Sequence, residues 1–210
     1  MNQIEILMKR YPVLECCKKQ IEEACERIIA CYKADGIVLL CGNGGSCADA
    51  QHIAGELMKG FCKKRPLSEA DQRKLLSIDS KLGNLLADKL QMPLRAICLD
   101  GLPALSSAFA NDVDSALVYA QQVYGYAREK DVLIGISTSG NAENVLAAAV
   151  AAKAREAYTI GMSGSSGGKM SDVFDLVIKV PDDETYRIQE LHLPVYHAIC
   201  LAVEDAFFDR

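Results

Sequence analysis

The chain has three histidines, His52, His192 and His197, so any imidazole chemistry rests on those positions. His52 opens the run His52-Ile53-Ala54-Gly55-Glu56. Residues i and i+4 share one face of a helix, so this imidazole and carboxylate can point at one metal ion or one substrate. A plain surface or core pair has the same spacing. Further on stands Arg187-Ile188-Gln189-Glu190-Leu191-His192-Leu193-Pro194-Val195-Tyr196-His197. On a helix, Gln189 and His197 lie about 80° apart around the axis and two turns apart along it. They can flank one cavity, although Pro194 between them is expected to kink the helix. Each histidine taken alone also reads as a hydrogen-bonded structural residue.

Two loops have the composition of anion sites. Cys41-Gly42-Asn43-Gly44-Gly45-Ser46 follows an apolar run and opens a helical stretch. Its glycines let the backbone turn sharply, and the helix presents free N–H groups and a positive dipole end. The dinucleotide fingerprint would need glycine at position 47, where Cys47 stands, and an acidic residue about twenty positions on, so NAD is excluded. Ser137-Thr138-Ser139-Gly140-Asn141 likewise lies between an apolar run and a helical stretch. Three hydroxyls at a helix N-terminus can surround a phosphate with neutral donors. The plainer readings are a tight turn for the first loop and a helix cap for the second. Gly164-Ser165-Ser166-Gly167-Gly168-Lys169 resembles a P-loop, but Ser163 and Met170 stand where that motif needs Gly and Ser or Thr. It reads as a flexible turn into a short helix.

These motifs need elements to position them. Gly36–Cys41, Arg95–Leu99, Val132–Ser137, Tyr158–Met162 and Leu176–Val180 are continuous apolar runs, as expected for strands buried on both faces. Helical stretches near Ala48–Phe61, Ser115–Arg128, Ala142–Arg155 and Thr185–Phe208 separate them. The alternation predicts an α/β fold, a Rossmann-like three-layer sandwich around a five-stranded, mainly parallel sheet. Leu14, Cys17, Ile21, Cys25, Ile28 and Tyr32 predict an N-terminal helix of about twenty residues. Residues 66–93 interrupt the alternation. Leu75, Ile78, Leu82, Leu85, Leu86 and Leu90 keep helical spacing there, with Gly83 as a weak point and Ser68 as a start signal. This predicts one inserted helix, either packed on the body or serving as a lid or subunit contact.

The 210 residues fit a single domain spanning 1–210 with that insertion. Half the chain is apolar and 24% is charged, the balance of a soluble globule. A net charge of −5 argues against nucleic acid or an anionic membrane as partner, and the lack of Trp against a base-stacking platform. The nine cysteines are odd in number, form no CxxC pair and mostly sit in apolar patterns, which suits buried thiols in a reducing cytoplasm. Met1-Asn2-Gln3-Ile4-Glu5 does not read as a signal peptide, and no apolar run approaches membrane-spanning length.

Taken together, the motifs resemble the sugar-isomerase (SIS) domain, and within it the bacterial phosphoheptose isomerases. The resemblance rests on Gly42-Asn43-Gly44-Gly45-Ser46, Asp49-Ala50-Gln51-His52 through Glu56, Asn111-Asp112, Ser137 to Asn141, Gly167-Gly168-Lys169-Met170 and Arg187-Ile188-Gln189-Glu190 through His197. They occur in family order over nearly the whole chain apart from 66–93. The resemblance implies that Asn43, Gly44, Gly45 and Ser46, with Asn111 and Asp112, hold the sugar, assisted by Gln189. It implies Ser137, Thr138 and Ser139 for the phosphate, and Glu56 and His197 as the acid–base pair. It further implies zinc on His52, Glu56, Gln189 and His197, and a homotetramer with sites at subunit interfaces.

Those residue types suit aldose–ketose isomerisation. The reaction moves a proton between adjacent carbons through an enediol, and a carboxylate and an imidazole can share the proton traffic. Zinc would polarise the carbonyl. The departures are Ala142, where the family often has serine, Tyr186 before Arg-Ile-Gln-Glu, Pro194 and the insertion. The leading expectation is sedoheptulose 7-phosphate isomerase. The alternatives are a non-catalytic SIS protein that binds a replication initiator, or a phosphosugar isomerase of different substrate. Glu56 and His197, which the non-catalytic relatives lack, favour the enzyme.

Overall fold

The computed structural model describes residues 2–208. Five strands form one sheet: β1 (Val38–Gly42), β2 (Ala96–Cys98), β3 (Val132–Ile136), β4 (Tyr158–Ser163) and β5 (Leu176–Lys179). Their order is β2-β1-β3-β4-β5, and every neighbouring pair is parallel. β1 and β3 are fully buried along their length, which is why they read as unbroken apolar runs. The chain leaves β1 toward β2 on one side and leaves β3 toward β4 on the other. The β1/β3 boundary is therefore a topological switch point, where open α/β sheets place ligands.

Alternate residues of each strand feed separate cores. Val38 and Leu40 join the layer built by α1 (Gln3–Arg10), α2 (Lys18–Lys33), α3 (Gly45–Met58) and α10 (Thr185–Phe207). Leu39 and Cys41 join the opposite layer, with α7 (Val118–Tyr126) and α8 (Glu143–Ala154). The three-layer expectation is met, with α6 (Pro103–Phe109) and the short α9 (Met170–Val173) as additions.

Two elements differ from the sequence reading. The N-terminal helix is divided. Leu14 and Cys17 belong to a 3-10 segment, Pro12–Cys17, and the separate α1 precedes it. Pro12 accounts for the break, because it restricts the residue before it, and Tyr11 takes φ −133° and ψ 72°. The insertion is two helices rather than one: α4 (Glu69–Ile78) and α5 (Ser80–Lys89). Asp79 leaves helical geometry and caps α5, accepting from the amides of Lys81 and Leu82. Gly83 is not a weak point but the crossing point, since a Cβ there would lie 2.4 Å from the Leu75 carbonyl oxygen. The outer stripe is not a packing face, for Ile78, Leu82, Leu85 and Leu90 remain exposed. The Ser68 start signal is realised: its side chain accepts from the Asp71 amide.

α10 runs unbroken through Pro194. No helix of the described residues is long and apolar enough to cross a membrane.

Candidate active site

The glycine loop sits at the C-terminal end of β1. Tyr119 on α7 secures its root, donating to the Gly42 carbonyl oxygen at 2.6 Å. Gly44 then takes φ +55°, a conformation glycine adopts without penalty, and α3 starts at once with no side-chain cap. Gly45 has a second reason to lack a side chain: a Cβ there would lie 2.5 Å from Nε2 of Gln189. The Gln189 amide therefore rests against the start of α3, joining two motifs far apart in sequence.

The serine turn stands on the neighbouring strand. Ser137 is buried, and its Oγ accepts from the Ala142 amide at 3.4 Å. Ser139 Oγ accepts from the Asn141 amide at 3.2 Å. No side chain caps α8, so its first N–H groups suit an anion. The Gly164–Lys169 segment packs on this turn as a brace. The Lys169 amide donates to Asn141 Oδ1 at 3.0 Å, and the Met170 amide to the Gly140 carbonyl at 3.0 Å.

The two loops are tied together by a residue the motifs did not reveal. Asn144 Nδ2 donates to Asn43 Oδ1, and Asn43 Nδ2 donates to Asn144 Oδ1, both at 2.9 Å. Asn144 lies in the first turn of α8, where an asparagine carries no signal distinguishing it from an ordinary helix-start residue.

Two to three turns further along α3 lie the titratable groups. His52 Nε2 and Glu56 Oε1 are 3.2 Å apart, as the i,i+4 spacing required. His52 Nδ1 is 3.0 Å from the Tyr196 hydroxyl, which donates to Asp49 Oδ1 at 3.2 Å. The Tyr196 hydroxyl thus stands between His52 and Asp49 and holds the His52 ring from behind. Tyr196 was missed because its only sequence signal is its place beside His197. The His197 ring stands 5.0 Å from that of His52, at 82°. Burial first, then the neighbouring His52, holds the pKa of His197 below the usual imidazole value. His197 is thus neutral near pH 7. Its Nε2 is buried and has no hydrogen-bond partner among the described residues. Burial is also the leading influence on Asp49, whose pKa is raised.

Asn111 and Asp112 are not drawn in. They lie on an exposed π-helical turn, Ala110–Asp114, where Asn111 Nδ2 donates to Asp112 Oδ1 at 2.8 Å. That turn forms no hydrogen bond with either loop. His192 is structural: it is fully buried, with Nε2 3.3 Å from the Ser163 carbonyl oxygen.

The donors proposed for zinc fit a metal in type but not in arrangement. His52 Nε2 and Glu56 Oε1 lie 3.2 Å apart on one face of α3, as a pair and not as part of a larger donor cluster. No group of three His, Cys, Asp or Glu among the described residues is placed to hold an ion. The Gln189 amide lies against Gly45, at the start of α3.

Comparison with known proteins agrees with this architecture. The SIS domain family model matches residues 4–73 and 86–164, and the gap falls inside the α4–α5 hairpin. A phosphoheptose isomerase of Nitratiruptor sp. is 42% identical over 170 residues, covering 81% of this chain and 77% of the relative. One from Rhodospirillum rubrum is 37% identical over 190 residues, covering 90% and 87%. Among solved structures, the phosphoheptose isomerase from Neisseria gonorrhoeae is 34% identical, with a TM-score of 0.68 over 87% of this chain and 84% of that one. The Francisella tularensis phosphoheptose isomerase is 29% identical, with a TM-score of 0.76 over 93% and 91%. A family model matching most of the chain and relatives at this identity and coverage show that the chain belongs to the SIS-domain family, among its phosphoheptose isomerases.

Proposed function

We propose that this isomerase converts sedoheptulose 7-phosphate to D-glycero-D-manno-heptose 7-phosphate. The observation that carries the reading is the meeting of His52, Glu56 and His197, the first two on the helix that the glycine loop opens. The serine turn, with Ser137, Thr138 and Ser139, takes the phosphate through hydroxyl and backbone N–H donors. Asn43, Gly44, Gly45 and Ser46 take the sugar chain with Gln189, and Asn111 and Asp112 close on it from the exposed turn. Glu56 removes the proton from the carbon beside the carbonyl. The neutral His197 imidazole serves the oxygens of the enediol, and Glu56 returns the proton to the adjacent carbon. The relatives named above favour the enzyme over a non-catalytic binding protein.

Zinc is proposed on donor type alone, with His52, Glu56, Gln189 and His197 regrouping around the ion. A bound zinc would polarise the substrate carbonyl. A homotetramer and a cytoplasmic location complete the proposal; nine free cysteines suit a reducing compartment.

The test is solvent-deuterium incorporation into a panel of ketose phosphates, with and without chelator, alongside metal analysis. Deuterium entering the seven-carbon substrate beside its carbonyl supports the proposal. Exchange confined to another ketose would reassign the substrate, and none at all would reject the isomerase reading. Metal-free protein with full activity would reject zinc.

A further inference from the structure

We propose that Arg65 and Glu204 form a positioning pair for the acid–base residues, an inference that rests on the isomerase reading of the site. Arg65 lies just beyond α3, and Glu204 lies near the end of α10. Their side chains are 0% and 1% exposed. Arg65 Nε donates to Glu204 Oε1 at 2.9 Å, and Nη2 lies 2.8 Å from the same oxygen. The rest of the guanidinium turns to α3. Nη1 donates to the Leu57 carbonyl at 2.7 Å, and Nη2 to the Glu56 carbonyl at 3.2 Å. One planar group thus ties the helix that carries His52 and Glu56 to the helix that carries His197.

Glu204 adds a second tie. Its Oε1 accepts from the Phe61 amide at 2.8 Å, and its Oε2 from the amides of Cys62 at 2.8 Å and Lys63 at 3.2 Å. The Phe61 ring then packs 5.5 Å from that of His197. The end of α3, the turn at 60–65 and α10 all meet at this pair.

Its chemistry suits spacing better than stability. Desolvation offsets much of the attraction in a buried ion pair, so apolar residues would serve stability as well. A guanidinium is a rigid fork whose donors hold several acceptors at fixed distances. The pair also stands at the root of the α4–α5 hairpin, where the Met92 amide donates to the Arg65 carbonyl at 2.7 Å. By contrast, the Lys63 side chain in the same turn reaches Asp205 and the Phe208 carbonyl, each at 2.6 Å, and makes no hydrogen bond to α3 among the described residues.

The experiment compares full-length Arg65→Lys, Glu204→Gln, the milder Glu204→Asp and the control Lys63→Ala. Readouts are kcat and KM with sedoheptulose 7-phosphate, thermal unfolding, and the His197 imidazole resonance by NMR. We expect the first two variants to lose about 10²-fold in kcat, with KM within about twofold of wild type. Glu204→Asp should fall between them and wild type, the His197 resonance should move in all three, and Lys63→Ala should change neither readout. A merely structural role would lower the melting temperature but leave kcat and the resonance of the folded variants at wild-type values. That result, in whichever variants fold, overturns the proposal. If wild-type protein turns over no ketose phosphate, the isomerase reading fails by itself, and the His197 resonance alone decides the positioning claim.

Discussion

The side-chain amides of Asn43 and Asn144 exchange two hydrogen bonds of 2.9 Å across the β1/β3 switch point. The glycine loop after β1 and the start of α8 after β3 are thereby held as one unit. Asn144→Ala should lower kcat/KM by about tenfold and reduce stability by about 1 kcal/mol, measured by steady-state kinetics and urea unfolding. Asn144→Asp should be worse for phosphate binding, because it places a carboxylate beside the anion. An unchanged kcat/KM in both variants would remove the clamp from the account.

Glu56→Gln and His197→Ala should each cut isomerisation by about 10²–10⁴-fold while leaving the protein folded. Deuterium exchange into substrate measures the loss directly. Wild-type exchange in both variants would sink the acid–base assignment.

Tyr196→Phe leaves the ring in the core but removes the hydroxyl that bridges His52 and Asp49. Without that bridge, His52 should no longer hold one orientation toward Glu56. A fall in kcat of about ten- to a hundredfold, with a changed pH–rate profile, is expected. A profile identical to wild type would show that the bridge has no part in turnover.

His192 gives the fold a pH dependence separate from catalysis. Burial, partly opposed by the Ser163 carbonyl, lowers its pKa from 6.5 to about 4. Below pH 6.5 the unfolded chain takes up a proton that the folded chain refuses until near pH 4. This contribution to stability is complete above that window and declines through it, by about 3 kcal/mol in all. Urea unfolding across the window should show the slope, and His192→Leu should flatten it. An equal slope in the variant would assign the effect to other groups.

The sequence made the strands legible because burial on both faces leaves apolar runs that few other structures require. His52 and Glu56 were legible because their spacing matches one helical turn. Gln189 was legible as a residue but not its seat against Gly45, which depends on how two helices cross. Arg65 and Glu204 are 139 positions apart, and charged residues ordinarily signal a solvated surface, so nothing local marked them as buried partners. The break at Asp79 was hidden because one apolar stripe runs through both α4 and α5 in register.

That hairpin leaves and rejoins the body at adjacent points. Pro66 and Gln91 form an antiparallel bridge at its base. A segment whose two ends already touch can change length with little effect on the path of the chain beneath it, since closure entropy grows only with the logarithm of loop size. The hairpin is thus a side branch on a finished scaffold, free to diverge in sequence and extent while the strands and their loops keep their places.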